Sequence, residues 1–282
     1  MDLILQSLIA NTARLKQIAA LANPEQLIEV TPNALRCVGL TLTGDVTSVK
    51  QKIAALAWQE QVDVHWKSTS QKLAEFKLLA MDMDSTLITI ECIDEIADMQ
   101  GLKPQVSAIT ESAMRGEIAF PESLTRRVAL LKGLPASALQ QVYDERVTLS
   151  PGAEKLLSAV RAAGLKTLLV SGGFTFFTDR IKEKCNLDFS HSNQLEIIDG
   201  KLTGRVLGDI VDAEEKKRTV ERTCAQLDIS PNEAIVMGDG ANDLAMMHIA
   251  GLSVAFRAKP VVREQATVAL NFVGLDGLLN LF

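Results

Sequence analysis

Two aspartates, Asp82 and Asp84, follow a short apolar run at Leu78–Met81. Two carboxylates one residue apart repel each other unless positive charge lies between them or close by. A divalent metal with oxygen ligands, carrying a phosphate group on the same ion, supplies that charge most simply. The spacing therefore indicates metal-dependent phosphoryl chemistry at this point of the chain.

Two other apolar runs also end in polar or glycine-rich loops. Leu165–Val170 leads into Ser171 and Gly172, and Ala234–Met237 leads into the sequence GDGAND at Gly238–Asp243. Apolar runs this short are typical of buried parallel strands. Because the carboxyl ends of parallel strands lie along one edge of a sheet, where ligands bind in open α/β folds, we expect the three loops to form one site.

The three loops and the helix after the second one offer the groups that phosphoryl transfer needs. One carboxylate of the first pair can attack phosphorus to form an aspartyl-phosphate, and the other can protonate the leaving oxygen and then activate water. Asp239 and Asp243 can hold or orient Mg²⁺. Ser171 and the glycine amides after it can donate hydrogen bonds to phosphate. Lys216, in a predicted helix over 212–227, can neutralise charge on the phosphate and the nucleophile.

The composition is that of an ordinary globular chain of 282 residues, with 47% hydrophobic and 23% charged residues. The net charge of −6, with no long basic run, argues against nucleic-acid binding. The first residues lack the cationic lead-in and the length expected of a signal peptide, and no apolar run approaches the roughly 20 residues that span a bilayer. Four scattered cysteines and three isolated histidines argue against disulfides and a zinc site. We expect a cytoplasmic protein.

Strand and helix patterns divide the chain into three parts. Residues 1–72 predict a small α+β module, with a helix over Met1–Ala22 and a polar linker at its end. Residues 73–282 predict an α/β core with a hairpin turned at Asp199-Gly200. Within that core, residues 89–148 are helical in pattern and show no strand signal. Such an insertion is well placed to act as a cap that excludes water and selects the substrate.

The motifs from about 76 to 275 resemble those of the haloacid-dehalogenase superfamily, and within it the phosphoserine phosphatase family. The DxDST loop begins at Asp82, followed in order by Ser171, Lys216 and GDGAND at Gly238–Asp243. The resemblance implies a Rossmann-like parallel sheet core with a helical cap. It makes Asp82 the nucleophile and Asp84 the general acid and base. It also makes the magnesium ligands Asp82, Asp239 and the main-chain carbonyl of Asp84, supported by Asn242 and Asp243.

Two segments of the predicted cap carry the resemblance to phosphoserine phosphatases: ECIDEIA at Glu91–Ala97 and AMRGEIAFPESLTRRVALLKG at Ala113–Gly133. By this resemblance Glu91 faces the substrate ammonium and Arg127 its carboxylate. The physical chemistry agrees, because a zwitterionic amino-acid head requires an anion and a bidentate cation. The N-terminal module resembles a reduced form of the ACT-like regulatory modules, and a plain packing or dimerisation module is the alternative.

Several of these residues have a purely structural alternative. The resemblance places Met114 and Phe120 in the pocket lining, although residues of these types usually pack between helices. Lys216 lies in a charged run typical of a solvated helix face. Arg126 stands next to Arg127, so a shift of one position would exchange their roles. Ser171 and Gly172 could serve only a turn.

Taken together, the motifs predict Mg²⁺-dependent hydrolysis of O-phospho-L-serine to L-serine and phosphate, the last step of L-serine biosynthesis. One alternative is a related phosphatase or phosphotransferase for another small phosphomonoester. A second alternative is a signalling domain in which the aspartyl-phosphate persists as a switch. Asp84 argues against the switch, because a general base two residues from the nucleophile would hydrolyse that intermediate. The sequence leaves homodimerisation open.

Overall fold

The computed structural model describes residues 1–67, 71–114 and 117–282. The predicted linker, residues 67–72, lies partly outside these residues, as does the side chain of Met114. The first six elements follow the order βαββαβ: β1 (Asp2–Ser7), α1 (Thr12–Ala20), β2 (Pro24–Thr31), β3 (Ala34–Leu40), α2 (Val46–Gln59) and β4 (Val62–Lys67). The four strands form an antiparallel sheet in the order β2-β3-β1-β4, which is the ferredoxin-like arrangement.

The helix predicted over Met1–Ala22 is confirmed only over α1, because the first part of that range is strand β1. Leu3 and Leu5 pack against α1 and α2 on one face of the sheet, whereas Ile4 packs into the larger core on the other face. A strand covered on both faces carries a continuous apolar run rather than an alternating one, and such a run cannot be distinguished from a buried helix by its period. Asp45 caps the N-terminus of α2, because its carboxylate accepts the Ser48 N–H at 2.9 Å.

The second sheet has seven strands in the order β11-β10-β9-β5-β6-β7-β8, and only the β7–β8 pair is antiparallel among the residues described. Its strands are β5 (Leu78–Met81), β6 (Lys166–Phe174), β7 (Phe189–Ile198), β8 (Lys201–Leu207), β9 (Ala234–Gly238), β10 (Leu252–Phe256) and β11 (Val268–Leu270). The hairpin predicted at Asp199-Gly200 is confirmed. Both turn residues have positive φ, at 50° and 71°, as a two-residue type I′ turn requires.

Helices cover this sheet and fill the segment after β5. The segment after β5 contains α3 (Cys92–Met99), α4 (Lys103–Met114), α5 (Phe120–Leu130) and α6 (Ser137–Arg146). The later helices are α7 (Ala153–Ala162), α8 (Thr175–Cys185), α9 (Ala213–Gln226), α10 (Leu244–His248) and α11 (Pro260–Gln265). The predicted α/β core with a helical insertion is therefore confirmed. No helix in the described parts of the chain is long and apolar enough to cross a membrane.

The N-terminal sheet packs on the C-terminal end of the chain through a buried carboxylate. Asp63, on β4, accepts hydrogen bonds from the backbone N–H groups of Asn271, Phe272 and Val273 and from the Asn271 side chain, at 2.8–3.1 Å. These four donors satisfy a carboxylate that would otherwise be costly to bury. The strand that bears Asp63 is thereby held against the end of the chain that follows β11.

Candidate active site

Strand β5 lies between β6 and β9, and this position brings the predicted loops together. Met81 pairs in parallel register with Leu169 on one side and with Met237 on the other. The residues after Met81, Leu169 and Met237 therefore lie side by side, although β6 itself continues to Phe174. The Asp82 N–H continues the ladder to the Met237 carbonyl at 3.0 Å. Beyond these strand ends lies a cavity of about 690 Å³ between the sheet edge and the helical insertion.

Lys216 joins the first loop to the last. Its Nζ lies 2.9 Å from Asp82 Oδ1 and 2.8 Å from Asp243 Oδ1, and the lysine side chain is 1% exposed. Burial alone would lower the pKa of this ammonium, but the carboxylates of Asp243 and Asp82 outweigh it and raise the pKa above its ordinary value. Lys216 is therefore a permanent buried cation beside Asp82, held there by α9.

Asp243 is occupied in holding the last loop. Its Oδ2 accepts the N–H groups of Asp239 and Gly240 at 3.1 and 3.0 Å, while Oδ1 accepts from Lys216. Each of its oxygens thus already has a protein donor. Asp243 therefore holds the backbone of the last loop and the Lys216 ammonium together.

Asp82 and Asp239 each keep an oxygen that accepts no hydrogen bond from the residues described. Asp82 Oδ1 accepts from Lys216 and from the Met83 N–H at 2.7 Å, which leaves Oδ2. Asp239 Oδ1 accepts from the Thr86 hydroxyl at 3.3 Å, which also leaves Oδ2. Both residues line the cavity.

The donor set of this cluster fits a hard divalent cation. Carboxylate oxygens of Asp82, Asp239 and Asp243 lie within 4.8 Å of one another, and oxygen ligands of this kind suit Mg²⁺ or Ca²⁺. Burial and the neighbouring Asp243 carboxylate raise the pKa of Asp239 to about 7. Burial, followed by the Asp243 charge, also raises the pKa of Asp82 well above its usual range. A bound cation would relieve this crowding of negative charge.

Asp84 turns away from that cluster and towards the helical insertion. Its Oδ1 accepts the Cys92 N–H at 3.1 Å, and its Oδ2 lies 2.7 Å from the point that a Cβ on Gly173 would occupy. Burial raises the pKa of Asp84, although the bond from Cys92 partly opposes it. A carboxyl group that resists ionisation is suited to give a proton to a leaving oxygen and take one from water.

The phosphate-binding residues predicted on the second loop divide into two layers. Gly172 and Gly173 border the cavity. Ser171 is fully buried, and its hydroxyl accepts the Gly173 N–H at 2.8 Å. Lys216 is likewise buried behind Asp82. The predicted strand end at Val170 is wrong, since β6 continues with an irregular register through these residues to Phe174. Ser171 therefore shapes the end of β6, and the glycines form its surface.

The insertion supplies the opposite wall of the cavity, which includes Glu91, Phe120 and Arg127; Asn242 borders it from the last loop. Arg127 is only 9% exposed, whereas its neighbour Arg126 pairs with Glu122 along the outer face of α5. Enclosure by the protein, followed by repulsion from Asp84, raises the pKa of Glu91 to about 7. The structure thus places Arg127, and not Arg126, in the cavity.

Comparison with known proteins agrees with this geometry. Residues 76–251 match the model of a hydrolase family described as haloacid dehalogenase-like. The chain belongs to the haloacid dehalogenase-like hydrolases. The resemblance inferred from the four motifs is confirmed.

Curated and structural relatives lie within this hydrolase family. A phosphoserine phosphatase of Polaromonas sp. is 61% identical over 215 residues, which cover 74% of this hydrolase and 91% of the relative. A haloacid dehalogenase family hydrolase from Salmonella enterica serovar Typhi has a TM-score of 0.87 at 36% identity, covering 100% of this chain and 98% of its own. A probable phosphoserine phosphatase from Vibrio cholerae has a TM-score of 0.83 at 36% identity, covering 99% and 85%.

Sequence reasoning gave no role to four residues that the hydrolase places at the site. Thr86 bonds to Asp239, and Asp94 and Ser123 line the cavity. Ser85 donates to Glu91. Ser85 and Thr86 stand inside the first motif, so position alone could have marked them. Asp94 and Ser123 line the cavity because of how α3 and α5 pack, and no local sequence pattern predicts this packing.

Proposed function

We propose that this hydrolase converts O-phospho-L-serine to L-serine and phosphate, with Asp82 as the nucleophile. The observation that carries the proposal is the layout of the cavity, with Asp82 and Asp84 at the sheet edge and Glu91 and Arg127 on the insertion. When the phosphate group binds beside Asp82 and Asp84, the amino-acid head of the substrate lies beside Glu91 and Arg127. The ammonium then faces Glu91 and the carboxylate faces the Arg127 guanidinium. The names of the Polaromonas and Vibrio relatives support this substrate.

In the proposed reaction Asp82 attacks phosphorus through Oδ2, since Lys216 and Met83 already hold Oδ1. Asp84, whose pKa is raised by burial, donates its proton to the departing serine oxygen. Asp84 then removes a proton from water, which attacks the phosphorus of the aspartyl-phosphate. The P–O bond to Asp82 breaks, phosphate leaves, and both carboxyl groups return to their starting states.

The metal proposed for this site is Mg²⁺, held by Asp82, Asp239 and the main-chain carbonyl of Asp84, with Asn242 and Asp243 in support. A divalent cation bound there supplies charge stabilisation to the phosphate oxygens. The all-oxygen donor set supports magnesium over a softer metal. The proposal expects activity to be lost with a chelator and restored by Mg²⁺. Restoration by Zn²⁺ alone would contradict it.

The remaining proposals concern organisation and setting. We propose that residues 1–72 form one unit, related to ACT-like modules, and that residues 73–282 form the catalytic unit with its cap at 89–148. The βαββαβ order of the first unit supports that relation.

All four cysteines are buried and unpaired, which supports a cytoplasmic location. Homodimerisation remains part of the proposal, and the pathway we propose is L-serine biosynthesis.

Phosphate release from a panel of esters tests the substrate. The proposal expects O-phospho-L-serine to be hydrolysed with a kcat/KM about 30- to 150-fold above those of sugar phosphates and phosphocholine, since leaving a buried charged group without its partner costs about 2–3 kcal/mol. Faster hydrolysis of a different ester would keep the Asp82 chemistry and refute the substrate. A stable phosphoprotein without turnover would favour the signalling alternative.

A further inference from the structure

Ser85 has an unusual backbone conformation for its residue type. Its φ is 54° and its ψ is 3°, which lies in the left-handed region. Glycine, asparagine and aspartate adopt this region readily, whereas other L-residues there are uncommon and less stable by roughly 1–2 kcal/mol. The chain therefore holds a serine at a position that the backbone alone would give to glycine.

Ser85 makes two hydrogen bonds in this conformation. The Ser85 N–H donates to the Ile90 carbonyl at 3.1 Å, and the Ser85 hydroxyl donates to Glu91 Oε1 at 2.7 Å. Ser85 follows Asp84 directly, so it connects the proposed acid and base to the carboxylate on the far wall of the cavity.

Glu91 has few other constraints. No lysine, arginine or histidine nitrogen in the described ranges comes within 4 Å of its carboxylate, and Ser85 is the side chain that bonds to it. The Glu91 side chain lies at the N-terminal end of α3 without capping that helix. A glutamate side chain has three rotatable bonds, and ordering it costs conformational entropy. A hydrogen bond that fixes the carboxylate beforehand reduces the entropy that is lost when a ligand binds.

We propose that Ser85 is a positioning residue for substrate recognition. Its hydroxyl holds Glu91 Oε1, which turns the other carboxylate oxygen towards the ammonium of the amino-acid head. This inference rests on the proposed function, because it concerns the same head-group site. It assigns the discrimination between esters with and without an ammonium group to the Ser85–Glu91 pair rather than to Glu91 alone.

The test compares two substrates that differ only in the ammonium group: O-phospho-L-serine and 3-phosphooxypropanoate. Ser85→Gly removes the hydroxyl and keeps the left-handed backbone without strain. We expect the ratio of the two kcat/KM values to fall about tenfold, as when an interaction of about 1.4 kcal/mol is removed, and mainly through the KM for phosphoserine. Ser85→Asn, which tolerates the same backbone and carries a donor, is expected to recover part of that ratio.

A double-mutant cycle with Glu91→Ala separates positioning from general damage. If Ser85 acts through Glu91, Ser85→Gly changes the ratio by less than about twofold once Glu91 is alanine. Additive effects of the two substitutions would overturn the proposal, as would an equal rise in KM for both esters with Ser85→Gly. If the wild type does not prefer phosphoserine over 3-phosphooxypropanoate, the proposed function fails and this inference fails with it. A wild-type preference that Ser85→Gly leaves intact overturns the Ser85 role alone.

Discussion

Lys216 Nζ and Asp82 Oδ1 lie 2.9 Å apart, in a position where the lysine is 1% exposed. This pair determines which Asp82 oxygen remains available, because the bonded oxygen faces the protein interior. A lysine from α9 thus orients a carboxylate at the end of β5, and Asp243 on the far side of Nζ completes the arrangement.

Removal of the Lys216 charge is expected to affect both folding and chemistry. In Lys216→Met, Asp82 and Asp243 lose their common cation inside the protein. Breaking a buried ion pair in this way lowers the free energy of unfolding by about 3–5 kcal/mol. Denaturant unfolding should show the lower free energy of unfolding, and a phosphate-release assay should show a large loss of activity.

The neighbour Lys217 is the matched control, since it carries the same charge one position along α9. Lys217→Met is expected to change stability by less than about 0.5 kcal/mol, as for a surface substitution. Equal effects at the two positions would contradict the assignment of Lys216 to the buried pair.

A side chain at position 173 is expected to lower turnover. A Cβ at this position would stand 2.7 Å from Asp84 Oδ2, so Gly173→Ala displaces the proposed acid and base. A misplacement of a catalytic group by about 1 Å lowers kcat by about 10²-fold. Steady-state kinetics on phosphoserine would measure the loss.

Gly172→Ala provides the comparison for Gly173. A Cβ there meets Phe120 at 3.0 Å, which lies on the insertion. We expect this variant to raise KM more than it lowers kcat. If Gly173→Ala changed only KM, Asp84 would not depend on the space that Gly173 provides.

Arg127 and Arg126 should differ sharply despite being adjacent. Arg127→Ala removes the guanidinium that lines the cavity and is expected to raise the KM for phosphoserine by about 10²-fold, as when a charged hydrogen bond is removed. Arg126→Ala removes only an exposed pair with Glu122, worth less than about 1 kcal/mol. The reverse result would place the substrate carboxylate elsewhere.

The catalytic loops could be predicted because their chemistry is local. Asp82 and Asp84 follow four apolar residues directly, and the buried parallel strand before them needs no distant information. The N-terminal strand was missed because Leu3, Ile4 and Leu5 are all buried, and only the packing of two separate cores explains that.

Contacts between distant residues that lie outside the predicted motifs could not be predicted. Nothing near Gly173 in the chain shows that Asp84 occupies the space beside it. The hydrogen bonds of Asp63 with residues 271–273 join positions more than 200 apart in the chain. Local propensity and periodicity contain no information on such pairings. The residues that pack behind the catalytic loops could therefore be identified only from the structure.

Buried His65 is expected to make stability depend on pH. Burial lowers its pKa to about 4 in the folded chain, whereas an unfolded histidine has a pKa of about 6.5. Between these values the unfolded state binds a proton that the folded state does not. Stability is therefore fully present above about pH 6.5 and falls as the pH decreases towards 4, by roughly 3 kcal/mol in total.

His65→Gln isolates this contribution, because glutamine keeps a polar partner for Gln6, which lies 3.0 Å from the histidine ring. Urea unfolding at several pH values should show a shallower decrease below pH 6.5 in the variant than in the wild type. Parallel pH profiles for the two proteins would show that His65 does not cause the decrease.

The aspartyl-phosphate on Asp82 is the central claim, and rapid acid quenching tests it most directly. The wild type is mixed with excess O-phospho-L-serine and Mg²⁺, quenched within one turnover, and digested for peptide mass analysis. We predict one phosphoryl group on the peptide that contains Asp82, released serine in equal amount, and neither product in Asp82→Asn. A phosphoryl group on another residue, or turnover retained by Asp82→Asn, would contradict the account.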